Sequence, residues 1–219
     1  MSLTGQQHRS AGRWALATAI AAAVLCAGGI SVAAFGLTSR TPEGGGAVIP
    51  SWVGTTVPKL SRVPGVRALA WSVPVSIRIP VINVSAPVEK VGKNADGTVQ
   101  VPPLDNHNLT GRYHYGPTPG QLGSSVILGH VDSYTGISVF YYLKDLRPGN
   151  KIYVTLADGT VATFAVDGVQ KVAKTDFPTA SVYDAHLDYP SLRLITCGGY
   201  FDQATGHYLD NIIVYAHLV

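Results

Sequence analysis

The chain has 219 residues, with 16 Lys and Arg against 13 Asp and Glu, a net charge of +3, and 13% charged against 46% hydrophobic residues. So small a positive excess, with no basic run or stripe, argues against a nucleic-acid partner. The apolar fraction is enough for a folded core and excludes a wholly disordered chain.

Between Trp14 and Ser39 no residue is charged, and Ala, Val, Leu and Ile dominate. The run exceeds the ~20 apolar residues that a spanning helix needs. Arg9 and Arg13 precede it, whereas Arg40 and Glu43 offset each other after it. The positive-inside rule therefore predicts residues 1–13 in the cytoplasm, a transmembrane signal-anchor over 14–39, and everything beyond outside the cell membrane. A cleaved secretory signal is the competing reading, because Ser31-Val-Ala-Ala34 offers small residues. The apolar run is longer than a signal's usual ~7–15-residue core, which favours the anchor. Cys26 lies inside that run, and Leu25 before it does not suit a lipid-attachment site. The other cysteine, Cys197, then has no partner to bridge with, so no disulfide is expected.

Residues 40–70 carry Pro42, Gly44-Gly-Gly46, Pro50, Pro58, Pro64 and Gly65 without a sustained period. They read as an extracytoplasmic linker or stalk that holds the rest away from the membrane.

From Trp71 the texture changes. Val75–Ile79 alternates apolar and polar until Pro80, and Val81–Val84, Ala86–Val88 and Val99–Val101 continue the pattern around the turn Asn94-Ala-Asp-Gly97. Ser125–Leu128 is a short apolar run that ends at Gly129-His130. Lys151–Leu156 and Val161–Val166, joined at Asp158-Gly159, read as a hairpin. Val169–Val172, Ser191–Cys197 and Asn211–Ala216 follow. Seven or eight short strands, with helical turns only near Val139–Leu143 and Ala180–Tyr183, predict an all-β barrel or sandwich over 71–219.

In Ser191-Leu-Arg-Leu-Ile-Thr-Cys197-Gly-Gly-Tyr200, Leu192, Leu194 and Thr196 fall on one face, and Arg193, Ile195 and Cys197 on the other. The thiol is expected at the strand's end, beside glycines that let another backbone approach. Such a thiol is a candidate nucleophile. His130 also follows a buried strand directly, and a neighbouring imidazolium would lower the thiol's pKa well below ~8.5. Asp132 either orients His130 or closes a turn. A zinc site from Cys197, His130 and His207 is conceivable, but neither C-x-x-C nor H-E-x-x-H is present, so neither metal nor cofactor is expected.

Together Gly129-His130-Val-Asp132, Leu194-Ile-Thr-Cys197, Tyr115–Gly120, Leu146-Arg-Pro-Gly149 and Gly206-His-Tyr-Leu-Asp-Asn211 resemble the sortases, membrane-anchored cysteine transpeptidases of Gram-positive bacteria. Within them the chain most resembles the actinobacterial class F group, over roughly Ser76 to Ala216. The resemblance implies a closed eight-stranded β-barrel with His130 and Cys197 facing each other across a groove. It implies that Cys197 attacks the threonine carbonyl of an LPXTG-like C-terminal sorting signal, giving a thioacyl-enzyme. His130 would protonate the departing amine and later deprotonate the acceptor, a peptidoglycan precursor or another amine. One departure is plain. Sortases normally add an arginine at the start of the last strand, and here no Arg or Lys follows Arg193. The corresponding region carries Leu209, Asp210 and Asn211, of which Asn211 could support an oxyanion through its amide. Arg193 shares the cysteine's face but lies ~13 Å along the strand. Two other functions fit the same residues: a hydrolytic cysteine peptidase on the same barrel, or a membrane-tethered binding domain with a degenerate site.

Overall fold

A strand that alternates apolar and polar residues must bury one face, and strands that also pair along both edges can close on themselves. The computed structural model describes residues 48–59, 62–183 and 186–219. The segments 1–13 and 14–39, with Cys26, lie outside the described residues. Eight strands form a closed barrel: β1 (Pro74–Ile79), β2 (Val84–Val91), β3 (Thr110–Tyr113), β4 (Gly123–Gly129), β7 (Lys151–Leu156), β8 (Val161–Ala173), β9 (Pro190–Asp202) and β10 (His207–Leu218). Their order around the barrel is β1-β2-β3-β4-β9-β10-β8-β7, and β7 returns to β1. The pairs β2–β3 and β4–β9 are parallel and the others antiparallel. A separate small hairpin, β5 (Asp132–Ser133) with β6 (Gly136–Ile137), stands just beyond β4.

Most expected strands are present, with four differences. Val81–Val84 is not a strand, because Pro80–Ile82 forms a 3-10 turn, Asn83 is left-handed at φ 54°, and only Val84 joins β2. Val99–Val101 forms no strand, only a single bridge from Val99 to Lys93. The short strand Thr110–Tyr113 takes its place in the barrel. The segments Val161–Val166 and Val169–Val172 are one continuous 13-residue strand, bulged against β10 near Asp167. Two helical turns fall near where expected, a 3-10 turn at Leu143–Asp145 and α1 at Thr179–Tyr183, and two further 3-10 turns, Pro80–Ile82 and Lys174–Asp176, were not expected.

The side chains form two apolar layers. Ile77, Ile79, Ile127, Phe164, Leu192, Leu194, Ile212, Val214 and Ala216 fill the barrel interior. Each such buried aliphatic contributes roughly 1.5–3 kcal/mol. A second layer lies on the outer face of β4, β9 and β10: Val126, Leu128, Ile195, Cys197, Ile213 and Tyr215, covered by Val182 of α1. Both faces of β9 are therefore buried from Pro190 to Gly199, including its polar residues Ser191, Arg193 and Thr196. Among the described residues no helix is long and apolar enough to cross a membrane.

The described part of 40–70 lies along the barrel. Ile49, Val53, Val66 and Leu69 pack against the core. Gly54 N–H donates to Val169 O (3.0 Å), and Gly54 O accepts from Lys171 N–H (2.8 Å), on the length of β8 that extends beyond β7.

Candidate active site

The registers of β4, β9 and β10 assemble the site. Leu128 of β4 lies beside Ile195 of β9, and Ile195 lies opposite Ile213 of β10. All three belong to the outer layer. Cys197 follows Ile195 by two residues on the same face of β9 and stands directly opposite Asn211 of β10, and His130 follows Leu128 by two residues, just past the end of β4. Neighbouring strands are ~4.8 Å apart, so thiol and amide stand side by side across β9 and β10. Only 2% of Cys197, 5% of His130 and 0% of Asn211 is exposed.

Cys197 is not at the strand's end. β9 continues through the glycine pair to Asp202 and forms a long hairpin with β10. The glycines are needed inside the strand because β10 comes so close. A Cβ on Gly199 would run into the carboxylate of Asp210, and the residue has φ +76°. One on Gly198 would meet Ile212 at 2.6 Å.

His130 follows β4 by one residue, as expected. Its Nε2 lies 2.7 Å from the carbonyl oxygen of Pro102. A carbonyl only accepts, so this nitrogen carries a proton. The loop carrying Pro102 is tied to the β5–β6 hairpin through His107, whose Nε2 lies 2.6 Å from Thr135 Oγ1 and whose Nδ1 lies 3.0 Å from Ser133 Oγ. Asp132 opens that hairpin and accepts a hydrogen bond from the Tyr208 hydroxyl. Burial, the bond to Asp132, and the charges of Asp132, Tyr141 and Cys197 all push the Tyr208 hydroxyl pKa upward, so it remains a donor.

Arg193 is placed elsewhere. It is fully buried two rows from Cys197, opposite Tyr215, with its guanidinium carbon 4.6 Å from that ring's centroid. Its Nη1 donates to Ser191 Oγ and, at 3.2 Å, to Leu192 O, turned away from the thiol. Burial pulls its pKa down to about 10, so it keeps its charge at neutral pH. Of the three residues in the arginine's usual region, Leu209 is half exposed and Asp210 pairs with Lys171 at 3.2 Å. Only Asn211 presents a polar group on the cysteine's face. Among the described residues no group of three or more His, Cys, Asp or Glu could hold a metal ion.

Sequence reasoning did not single out Pro102, Tyr208 or the cover formed by α1. A backbone carbonyl has no sequence signal. Tyr208 sat in a noticed motif, but its partner Asp132 is distant in the chain. The segment following β8 packs over the outer layer: Val182 is wholly buried, α1 contacts β4, and the turn Lys174–Asp176 contacts β10. Tyr183 and Phe177 close the same roof, with Tyr183 packed edge-on to Tyr113 at 5.0 Å.

Comparison with known proteins agrees with the barrel fold. A family model described as the sortase domain matches residues 77–219. Similar solved structures include sortase A from Corynebacterium diphtheriae (24% identity, 68% of this chain and 62% of that one, TM-score 0.51). A lid mutant of the same enzyme matches at 25% identity, 69% and 72% coverage, and TM-score 0.51. Sortase C-1 from Actinomyces oris matches at 25% identity, 67% and 74% coverage, and TM-score 0.51. The match thus spans less than two thirds of the wild-type Corynebacterium chain. No curated protein sequence matches. These neighbours are sortases A and C, so the class F likeness rests on the sequence motifs alone. With the family model covering well over half of its length, the chain belongs to the sortase family.

Proposed function

We propose that this sortase is an exported cysteine transpeptidase, anchored by residues 14–39 with its N-terminus cytoplasmic. It cleaves an LPXTG-like sorting signal through a thioacyl-enzyme on Cys197 and transfers the protein to a cell-wall amine. The observation that supports the reading is that Cys197 on β9 and His130 just past β4 each lie two residues beyond the last β4–β9 pair, Leu128 with Ile195. A thiol beside an imidazolium forms the reactive ion pair that such chemistry needs.

The thiolate of Cys197 attacks the scissile carbonyl carbon. A C–S bond forms and the carbonyl π pair moves onto oxygen. When the oxyanion collapses, the C–N bond breaks and the leaving amine takes a proton from His130. The acceptor amine then gives a proton to His130 as it attacks the thioester carbonyl, and the sulfur leaves as thiolate. Nδ1 carries these protons, because Nε2 is held by Pro102. The signal runs along the outer face beneath α1, so the roof must lift or slide to admit it.

The test is incubation of the folded domain with an LPXTG-type peptide library and a glycine amine, beside Cys197→Ala. Amide product that depends on Cys197 supports the reading. Hydrolysis that added amine does not divert would indicate a peptidase. No cleavage, with Cys197 alkylated no faster than a free thiol, would indicate a binding domain.

A further inference from the structure

Asn211 is an anomaly of the fold. It is 0% exposed, and among the described residues neither its Oδ1 nor its Nδ2 has a hydrogen-bond partner. A buried amide without partners costs folding free energy, and native proteins rarely tolerate one without a use for it. Its position supplies the use. The side chain stands on the cysteine's face, directly across the ladder from Cys197, and its row continues to Val172, which offers no polar group. Asp210, the next polar side chain, is held by Lys171.

We propose that Asn211 is a catalytic residue that holds the scissile peptide unit with both ends of its amide. Nδ2–H donates to the carbonyl oxygen, most strongly when that oxygen bears the negative charge of the tetrahedral intermediate. Oδ1 accepts a peptide N–H of the bound signal. This neutral clamp stands where the family carries a cationic side chain. The substrate it suits is an extended peptide, because a carboxamide matches a peptide group in both donor and acceptor. The inference rests on the transpeptidase reading and deepens it.

The experiment compares the parent with Asn211→Leu and Asn211→Asp, using a fluorogenic LPXTG-type peptide in single turnover. Melting temperature and the rate of Cys197 alkylation by iodoacetamide are measured alongside. Leucine has a similar volume and removes an unpartnered polar group, so its melting temperature should hold or rise. Its acylation rate should fall about 10²–10³-fold while alkylation is unchanged. Asn211→Asp, which loses the donor, should acylate as slowly. Acylation by Asn211→Leu within about threefold of the parent overturns the assignment, as does a parallel fall in alkylation, which would mean a disturbed thiol–imidazole pair. A parent that forms no thioester sinks the transpeptidase reading and this assignment with it. A parent that acylates, with a leucine variant that does so equally well, sinks this assignment alone.

Discussion

The imidazole of His130 is held by the carbonyl oxygen of Pro102, 2.7 Å from Nε2. That contact makes Nε2 a donor, and the loop that provides it is itself pinned by His107 to Thr135 and Ser133. Replacing His107 with alanine should leave the barrel folded and let the loop drift. Small misplacements of a catalytic group cost up to ~10²-fold in rate. The expected result is a roughly tenfold or larger fall in kcat with KM little changed. Parental kcat in His107→Ala would show that the pin does not matter.

Arg193 should behave as a structural residue. Methionine retains the buried stem and removes a charge with unpartnered Nε and Nη2, an exchange that buried ions often tolerate. Arg193→Met is expected to melt close to the parent and to acylate at the parent's rate per folded molecule. Arg193→Ala, which also leaves a cavity, should lose about 2–4 kcal/mol in a denaturant titration. A folded Arg193→Met that cannot acylate would return this side chain to the chemistry.

Gly199 offers a sharper backbone test. Its φ of +76° already disfavours a side chain, and a methyl group would run into Asp210. Gly199→Ala is expected to destabilise the fold by at least ~1–3 kcal/mol and to move Cys197 relative to Asn211. Thermal melting and single-turnover acylation should fall together. A variant that melts like the parent would mean that β10 yields more easily than the close approach implies.

Alkaline pH should weaken the fold. Burial raises the pKa of Tyr183, Tyr208 and Tyr215, the last to about 12. A folded-state pKa above the unfolded value of ~10 adds stability that is fully present below pH ~10. Above that pH the unfolded chain releases these protons first, so stability falls until the folded groups ionise as well. Melting temperature should therefore drop steeply between about pH 10 and 12, with a second rise in phenolate absorbance on unfolding, beyond that of exposed tyrosines such as Tyr115, Tyr134 and Tyr200. A flat melting profile across that window would contradict the burial of these hydroxyls.

Much of this was readable from the residues. The alternation in Ser191–Cys197 separated inner from outer side chains correctly, because a pleated strand leaves no other arrangement. The Asp158-Gly159 turn announced the β7–β8 hairpin in the same local way. The misreadings have physical causes. Thr110–Tyr113 is too short and contains a glycine, so its strand state depends on β2 and β4 on either side. Gly198-Gly199 looked like an opening because glycine weakens strands, yet here its lack of a side chain lets β10 pair. Of the site, the placing of His130 directly after the strand Gly123–Gly129 was legible from the short apolar run before it. The burial of Arg193 and the unpartnered state of Asn211 were not, since each depends on which strands become neighbours.

The contact of Gly54 with β8 also bears on where the barrel stops. β8 outruns β7, and the groups it would otherwise leave bare at Val169 and Lys171 are satisfied by a stretch that composition marked as mere tether. A chain started at Trp71 would carry that naked border into solution, ready to zip against a second copy. The apparent leash thus also serves as a hem, keeping one molecule from knitting itself to the next.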